Sequence, residues 1–161
     1  MSNLKVEHCI KSIFFISLIS IITAYFIEYV LGHQPCNLCL IERIPYGLSI
    51  VLIILNYTLI KNEKLVIFLL IIIFLFSLIV SVYHFGIEQG FFEESSVCGA
   101  QNNTEITSKD ELLKQLQEKS VSCKDVTFRF FGLSLTSINI VLSIFLIGLL
   151  TKIFIFYEKH K

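Results

Sequence analysis

The chain has 161 residues, 55% of them hydrophobic and 16% charged, and its mean hydropathy is +0.77. These values exclude an ordinary soluble domain and indicate a polytopic membrane protein. The formal net charge is zero, so the charge gives no support to nucleic-acid binding.

Four apolar stretches in chain order predict an all-α membrane protein, a four-transmembrane-helix bundle with up-down topology. The predicted spans are residues 10–30, 44–60, 65–85 and 133–157. At 1.5 Å per residue the second span is about 25 Å long and the others exceed about 30 Å. Residues 31–43 and 86–132 are then the two outer loops, and 61–64 form a tight turn. The whole chain, 1–161, is expected to form one integral membrane domain.

The first outer loop carries a Cys-x-x-Cys pair, Cys36 and Cys39, directly before the second span. Two cysteines at this spacing form a small, strained and readily reduced disulfide, which suits redox exchange better than stapling. A c-type haem site would need His after the second cysteine, where Leu40 stands. A thioredoxin-like site would need a βαβ domain, for which the chain has no room.

Arg43 follows Cys39 by four residues, which places both on one face if the second helix begins near Cys39. A guanidinium and a helix N-terminus both favour the thiolate, and the same cation would stabilise negative charge on a quinone oxygen. An interfacial arginine reaching toward lipid headgroups is the alternative. Pro45 argues against a shared helix face for Cys39 and Arg43. Proline fits better in the first turn of a helix than inside an established one, so it favours a helix that begins near residue 44.

The second outer loop holds Cys98 and Cys123, 25 residues apart. Cys98 lies in the polar, Gly-containing segment 95–100, which suits a mobile loop that a partner can grip. Residues 108–111 form a capping box, followed by the apolar stripe of Leu112, Leu113 and Leu116. They predict a short amphipathic helix, lying either on the membrane surface or against the bundle.

The distribution of Lys and Arg sets the orientation. Basic residues occur at both termini and in the 61–64 turn, whereas the loop 86–132 has five basic and eight acidic residues, a net charge of −3. Both termini are therefore expected to be cytoplasmic and both cysteine-bearing loops outside. The apolar run after Lys5 and Lys11 is interpreted as an uncleaved first helix.

Topology divides the five cysteines into four outside and one, Cys9, at the cytoplasmic edge. Cys9 is expected to be a packing or lipid-facing residue. A lone cytoplasmic cysteine cannot form an intramolecular dithiol, so electrons are expected to come from outside proteins and pass to a carrier in the bilayer. Two alternatives stay open for the outer cysteines: a zinc site using all four, or structural disulfides that clamp the loops.

Several motifs together resemble the disulfide bond formation protein B (DsbB) family over nearly the whole chain. They are Pro35-Cys36-Asn37-Leu38-Cys39, Glu42-Arg43, the outer cysteine pair, Tyr83-His84-Phe85-Gly86-Ile87-Glu88-Gln89-Gly90 and Phe130-Phe131-Gly132-Leu133-Ser134. The chain departs from the resemblance in having no Trp and in the sequence of its second loop, which leaves the choice of partner open.

The resemblance implies a redox relay in the bacterial inner membrane. A reduced DsbA-like, thioredoxin-fold protein would attack Cys98 of a Cys98–Cys123 disulfide, and electrons would pass to a Cys36–Cys39 disulfide. Cys39 would then engage ubiquinone or menaquinone, with Arg43 assisting, and neither metal nor nucleotide is required. The protein is expected to act as a monomer.

His84 lies at the outer end of the third span, near the depth expected for a quinone head group. It is a candidate quinone ligand, although Tyr83 and His84 also resemble an interfacial aromatic belt. Glu28 and Glu88 are expected to be solvated or at headgroup level.

Two other functions compete with the oxidase. One is a structural tetraspan protein whose disulfides clamp its loops. The other is a vitamin K epoxide reductase-like protein, in which the active Cys-x-x-Cys belongs in a late helix, whereas here it precedes the second span.

Overall fold

A computed structural model describes residues 2–60, 62–94, 98, 122–124, 128–130 and 132–159. Its main elements are helices α1 (Ser2–Tyr29), α2 (Asn37–Leu55), α3 (Glu63–Glu88) and α4 (Leu135–Lys159). A π-helical turn, Asn56–Ile60, continues α2, and strands β1 (Arg129–Phe130) and β2 (Leu133–Ser134) form a small antiparallel hairpin before α4. All four α-helices are long and apolar enough to cross a membrane, so the protein is an all-α, multi-pass membrane protein.

Local signals in the sequence fix the ends of the helices. The side chain of Cys36 caps α2 by accepting a hydrogen bond from the Cys39 backbone N–H at 3.3 Å. Asn62 caps α3 in the same way, accepting from Leu65 N at 3.4 Å. Gly90 ends α3 with a positive φ of 78°, and the Phe91 N–H returns to the Gly86 carbonyl at 2.8 Å, which is a Schellman motif.

The helices pack in chain order, α1 against α2, α2 against α3, and α3 closely along α4, whereas α1 and α4 touch much less. At the end of the bundle nearest the termini, the core is aliphatic and aromatic and includes Ile13, Leu70, Phe74 and Leu146, none of them exposed. Small buried serines occupy the middle of the helix contacts, as in other membrane bundles. The serines are Ser17, Ser49, Ser77, Ser81 and Ser143.

Several of the predicted boundaries differ from the structure: α1 begins at Ser2 rather than at residue 10, and residues 133–134 form β2 rather than the start of the fourth span. Two further differences lie beside the cysteines. Helix α2 begins at Asn37, inside the predicted loop 31–43, so Pro45 lies within an established helix rather than in its first turn. Helix α3 continues to Glu88, past the predicted end of the third span at residue 85. In both cases polar side chains near the helix end form hydrogen bonds inside the bundle. Hydropathy counts such residues as solvent-facing, so it places the helix end too early or too late. The amphipathic helix predicted after residues 108–111 lies outside the described residues.

Candidate functional site: a cysteine cluster at one end of the bundle

Cys36 and Cys39 lie together at the start of α2. Both are free thiols, and their Sγ atoms are 2.9 Å apart. The hydrogen bond with the Cys39 thiol holds the pKa of Cys36 well below that of an ordinary thiol, and a contact with His84 adds to this effect. The pair is therefore a dithiol in close contact, with one sulfur favoured as thiolate. The Cys36–Cys39 disulfide stays a prediction.

Cys98 and Cys123 form a disulfide that is packed into the protein rather than held out in solvent. Their Cα atoms are 5.4 Å apart, and the two residues are 0% and 2% exposed. The disulfide shares one apolar cluster with Cys36, Leu38 and Ile87. The fold thus brings four cysteines from two separate loop regions into one cluster. The sequence predicted that a partner could grip the segment around Cys98, whereas Cys98 itself is buried in the structure.

Glu94, in the segment that follows α3, forms hydrogen bonds with the residues around Cys123. Its Oε1 accepts hydrogen bonds from the Ser122 hydroxyl at 2.5 Å and from the Cys123 backbone N–H at 2.6 Å. The Ser122 bond is the main reason that the pKa of Glu94 lies below its usual value. The sequence gives no sign of this link, because residues 94 and 123 are 29 positions apart and meet only in the folded protein.

His84 projects from α3 directly behind the Cys36–Cys39 pair and is only 2% exposed. Its Nε2 is 3.5 Å from Cys36 Sγ, and its Nδ1 is 2.9 Å from Glu42 Oε1. Because a carboxylate only accepts hydrogen bonds, this contact places the proton on Nδ1 and turns Nε2 toward the thiol. The residue is therefore buried beside Cys36 and is not part of an exposed aromatic belt.

Glu42 and Glu88 belong to the same buried polar network. Glu42 Oε2 accepts from Asn139 Nδ2 at 3.1 Å, and Glu88 Oε1 accepts from the Thr136 hydroxyl at 2.6 Å. The Thr136 oxygen is also 3.2 Å from His84 Nδ1. The expectation that Glu88 is solvated is wrong, since its side chain is only 6% exposed. An available signal was missed: ionisable residues at the end of an apolar span commonly face the bundle interior.

Arg43 lies one turn after Cys39 on α2, as the spacing predicts. Its Nη1 donates a hydrogen bond to Glu28 Oε2, and its guanidinium carbon is 5.2 Å from the centre of the Tyr25 ring. Glu28, expected to be solvated or at headgroup level, is thus paired with Arg43 near the end of α1, with its side chain 20% exposed. These contacts fix the position of the Arg43 side chain. An arginine that reaches toward lipid headgroups would not need such partners within the protein.

A cavity of about 310 Å³ opens where α1 and α4 diverge. Cys39, Glu42 and Arg43 line its α2 side, and the other walls are mostly apolar side chains of α1 and α4. Its size and its few convergent polar groups are typical of a small-molecule site. His84 is not among the lining residues. The predicted quinone ligand therefore lies behind the thiols, because its ring is drawn into the bundle by Glu42.

Comparisons with known proteins identify the family of the chain. The family model described as "Disulfide bond formation protein DsbB" matches residues 7–153. The chain is 33% identical over 147 residues to the uncharacterized protein RP370 of Rickettsia prowazekii (strain Madrid E), an alignment that covers 89% of this chain and 84% of that protein. No solved structure matches the chain. Since the family model covers most of the sequence and all five cysteines, this chain belongs to the disulfide bond formation protein DsbB family.

Proposed function

We propose that the protein reoxidises a periplasmic DsbA-like, thioredoxin-fold dithiol protein and passes the electrons to a membrane quinone. The observation that carries this proposal is the shared cluster of the Cys98–Cys123 disulfide and the Cys36–Cys39 dithiol, with Cys39 lining the cavity. The basic residues of the termini and of the 61–64 turn support an orientation with the cysteine cluster on the periplasmic side of the inner membrane.

The first exchange takes place at the outer disulfide. A thiolate of the reduced partner attacks Cys98, Cys123 leaves as a thiolate, and the second partner thiol then resolves the mixed disulfide. The products are an oxidised partner and a Cys98/Cys123 dithiol. Because Cys98 is fully buried, the partner must first lift this segment from the cluster, and the Glu94 link resists that movement.

The second exchange passes the electrons inward. The Cys98/Cys123 dithiol reduces a Cys36–Cys39 disulfide, so that the outer disulfide re-forms and the inner pair becomes a dithiol. One disulfide and one dithiol in a shared cluster match the state that follows this step.

The cavity residues fit a quinone head group. A quinone takes up two electrons and two protons, which are those released when a dithiol becomes a disulfide. The Arg43 guanidinium is fixed at the cavity wall and provides hydrogen-bond donors and positive charge for a carbonyl oxygen. The apolar walls of α1 and α4 suit the ring and its isoprenoid tail. Cys39 lies on the same wall, so the electron donor and the binding group are adjacent.

Quinone reduction by the purified protein tests this function. Reduced thioredoxin-fold dithiol protein is added to the detergent-solubilised protein with a soluble quinone, and quinone absorbance is followed. Turnover is expected for wild type and for Cys9→Ser, the matched control, and is expected to disappear in Cys36→Ser and Cys98→Ser. Binding of the partner without any quinone consumption would show that the cysteines only clamp the loops.

A further inference from the structure

Two thiols and one imidazole converge on a single point at the start of α2. The ligand atoms of Cys36, Cys39 and His84 all lie within 4.8 Å of one another. Around tetrahedral zinc, with Zn–S near 2.3 Å and Zn–N near 2.0 Å, a sulfur and a nitrogen are about 3.5 Å apart. The distance from Cys36 Sγ to His84 Nε2 is 3.5 Å. The two sulfurs, 2.9 Å apart in this structure, would need to separate by about 0.9 Å to bind a tetrahedral zinc.

The groups around His84 are those of a metal-ligating histidine. Its Nδ1 faces Glu42 Oε1 at 2.9 Å, which fixes the ring and leaves Nε2 directed at the thiols. A carboxylate on the far nitrogen of a histidine is the usual outer partner in zinc sites, where it sets the tautomer and raises the basicity of the ligand. The contact between Glu42 and His84 is therefore evidence for a metal site that is independent of the distance between the two cysteines.

Glu88 supplies a second independent observation. Its side chain is only 6% exposed, and its Oε2 is buried with no hydrogen-bond partner among the described residues. Its other oxygen, Oε1, lies 4.0 Å from His84 Nε2. A buried, unpartnered carboxylate oxygen is costly, and a cation bound beside His84 would lower that cost.

We propose that the reduced Cys36–Cys39 pair, together with His84, binds one Zn²⁺ ion through three protein ligands, with the Glu88 carboxylate close to His84. Binding releases the thiol protons of Cys36 and Cys39 and oxidises nothing. The cavity that reaches Cys39 provides a path for the ion to enter. Once both sulfurs are coordinated they cannot form a disulfide, so zinc holds the pair reduced until it is removed. This inference requires only the dithiol and does not rest on the proposed function.

Zinc competition with a chromophoric chelator tests the site. The full-length protein carries Cys98→Ser and Cys123→Ser, so that the only thiols are Cys9, Cys36 and Cys39, and it is reduced with a phosphine that is then removed. One Zn²⁺ per chain is expected for the reduced protein and none after Cys36 and Cys39 are oxidised to a disulfide. Adding Cys9→Ser is expected to leave the stoichiometry at one.

The ligand set is tested in the same background. Cys36→Ser and His84→Gln are each expected to weaken zinc binding at least tenfold, and Glu88→Gln to weaken it less. With Co²⁺ as probe, the reduced protein is expected to show tetrahedral d–d bands and a thiolate charge-transfer band that is lost in Cys39→Ser. Absence of zinc binding to the reduced protein would overturn the proposal. So would affinity unchanged by both Cys36→Ser and His84→Gln. The assay contains no partner and no quinone, so its result is independent of oxidase activity.

Discussion

His84 Nδ1 and Glu42 Oε1 lie 2.9 Å apart inside the bundle, although the two residues are 42 positions apart in the chain. The contact joins α3 to α2 directly behind the Cys36–Cys39 pair. It also connects the thiols to Asn139 and Thr136 of α4. The polar network therefore positions the reactive cysteines and helps to hold three helices together.

Glu42→Ala is expected to destabilise the protein by about 1–3 kcal/mol, because His84 and Asn139 both lose the buried carboxylate that accepts their hydrogen bonds. Thermal unfolding in detergent, followed by circular dichroism, measures the change. Glu93→Ala, which removes an exposed acid just after α3, is the control and is expected to leave the transition unchanged. Equal transitions for the two variants would contradict a structural role for the network.

Arg43→Ala is expected to leave both disulfides able to form but to raise the quinone concentration needed for half-maximal turnover by about tenfold or more. The reason is the loss of charged hydrogen bonds, each typically worth about 1.5–3 kcal/mol. Steady-state quinone reduction measures this effect. Arg129→Ala removes an exposed arginine in β1 and is the control. If Arg43→Ala turned over with unchanged quinone dependence, the role given to Arg43 would be wrong.

The Glu94 link is expected to weaken in acid. The pKa of Glu94 is lowered in the folded protein from its usual 4.5, so the carboxylate stabilises the folded loop above that value. This stability is lost as the pH falls through the lowered pKa. A phosphine that works in acid should therefore reduce Cys98–Cys123 faster below the folded pKa than at neutral pH.

The Glu94→Gln variant is the control for that acid effect, since an amide does not titrate. It is expected to show reduction of Cys98–Cys123 that is faster than wild type at neutral pH and nearly independent of pH. A wild-type rate that stays flat through the acid range, or a variant that keeps the full acid response, would show that Glu94 does not hold the loop.

Ser77→Leu is expected to destabilise the contact between α3 and α4 by about 1–3 kcal/mol. Ser77 is 0% exposed and accepts a hydrogen bond from the Ser143 hydroxyl at 3.2 Å, so a larger side chain has no room. Ile79→Leu, at a position 67% exposed on the outer face, is the matched control. Thermal unfolding compares the two, and equal stability would show that these helices do not pack as described.

The sequence was sufficient to predict four helices, because long apolar runs in a membrane have no other stable backbone arrangement. It was also sufficient to predict that Cys36, Cys39 and Arg43 lie close together, because they are neighbours at the start of one helix. It did not indicate that α2 begins at Asn37. Hydropathy places charged residues outside the membrane, whereas Glu42 and Arg43 find partners on α3, α4 and α1.

The contacts behind the thiols could not be predicted for the same reason, although His84 was a candidate site residue and the position of Glu88 at the end of an apolar span was a signal that it faces the bundle interior. His84, Glu88 and Glu94 are ordinary residues at the end of an apolar span, and their roles depend on which helix or loop lies opposite. The Glu94 bond to Cys123 spans 29 positions, and the Thr136 bond to Glu88 spans 48. No periodicity connects such pairs, so only the packed bundle shows them.

Differential alkylation after a single turnover tests the central claim, that electrons enter at Cys98–Cys123 and come to rest on Cys36–Cys39. Fully oxidised protein receives one equivalent of reduced thioredoxin-fold partner without quinone, and free thiols are then labelled in acid-quenched, denatured samples and mapped by mass spectrometry. Label is expected on Cys36 and Cys39 and little on Cys98 and Cys123, and the label on Cys36 and Cys39 is expected to be lost when quinone is added before quenching. Label that stays on Cys98 and Cys123 while Cys36–Cys39 remains oxidised would contradict the relay.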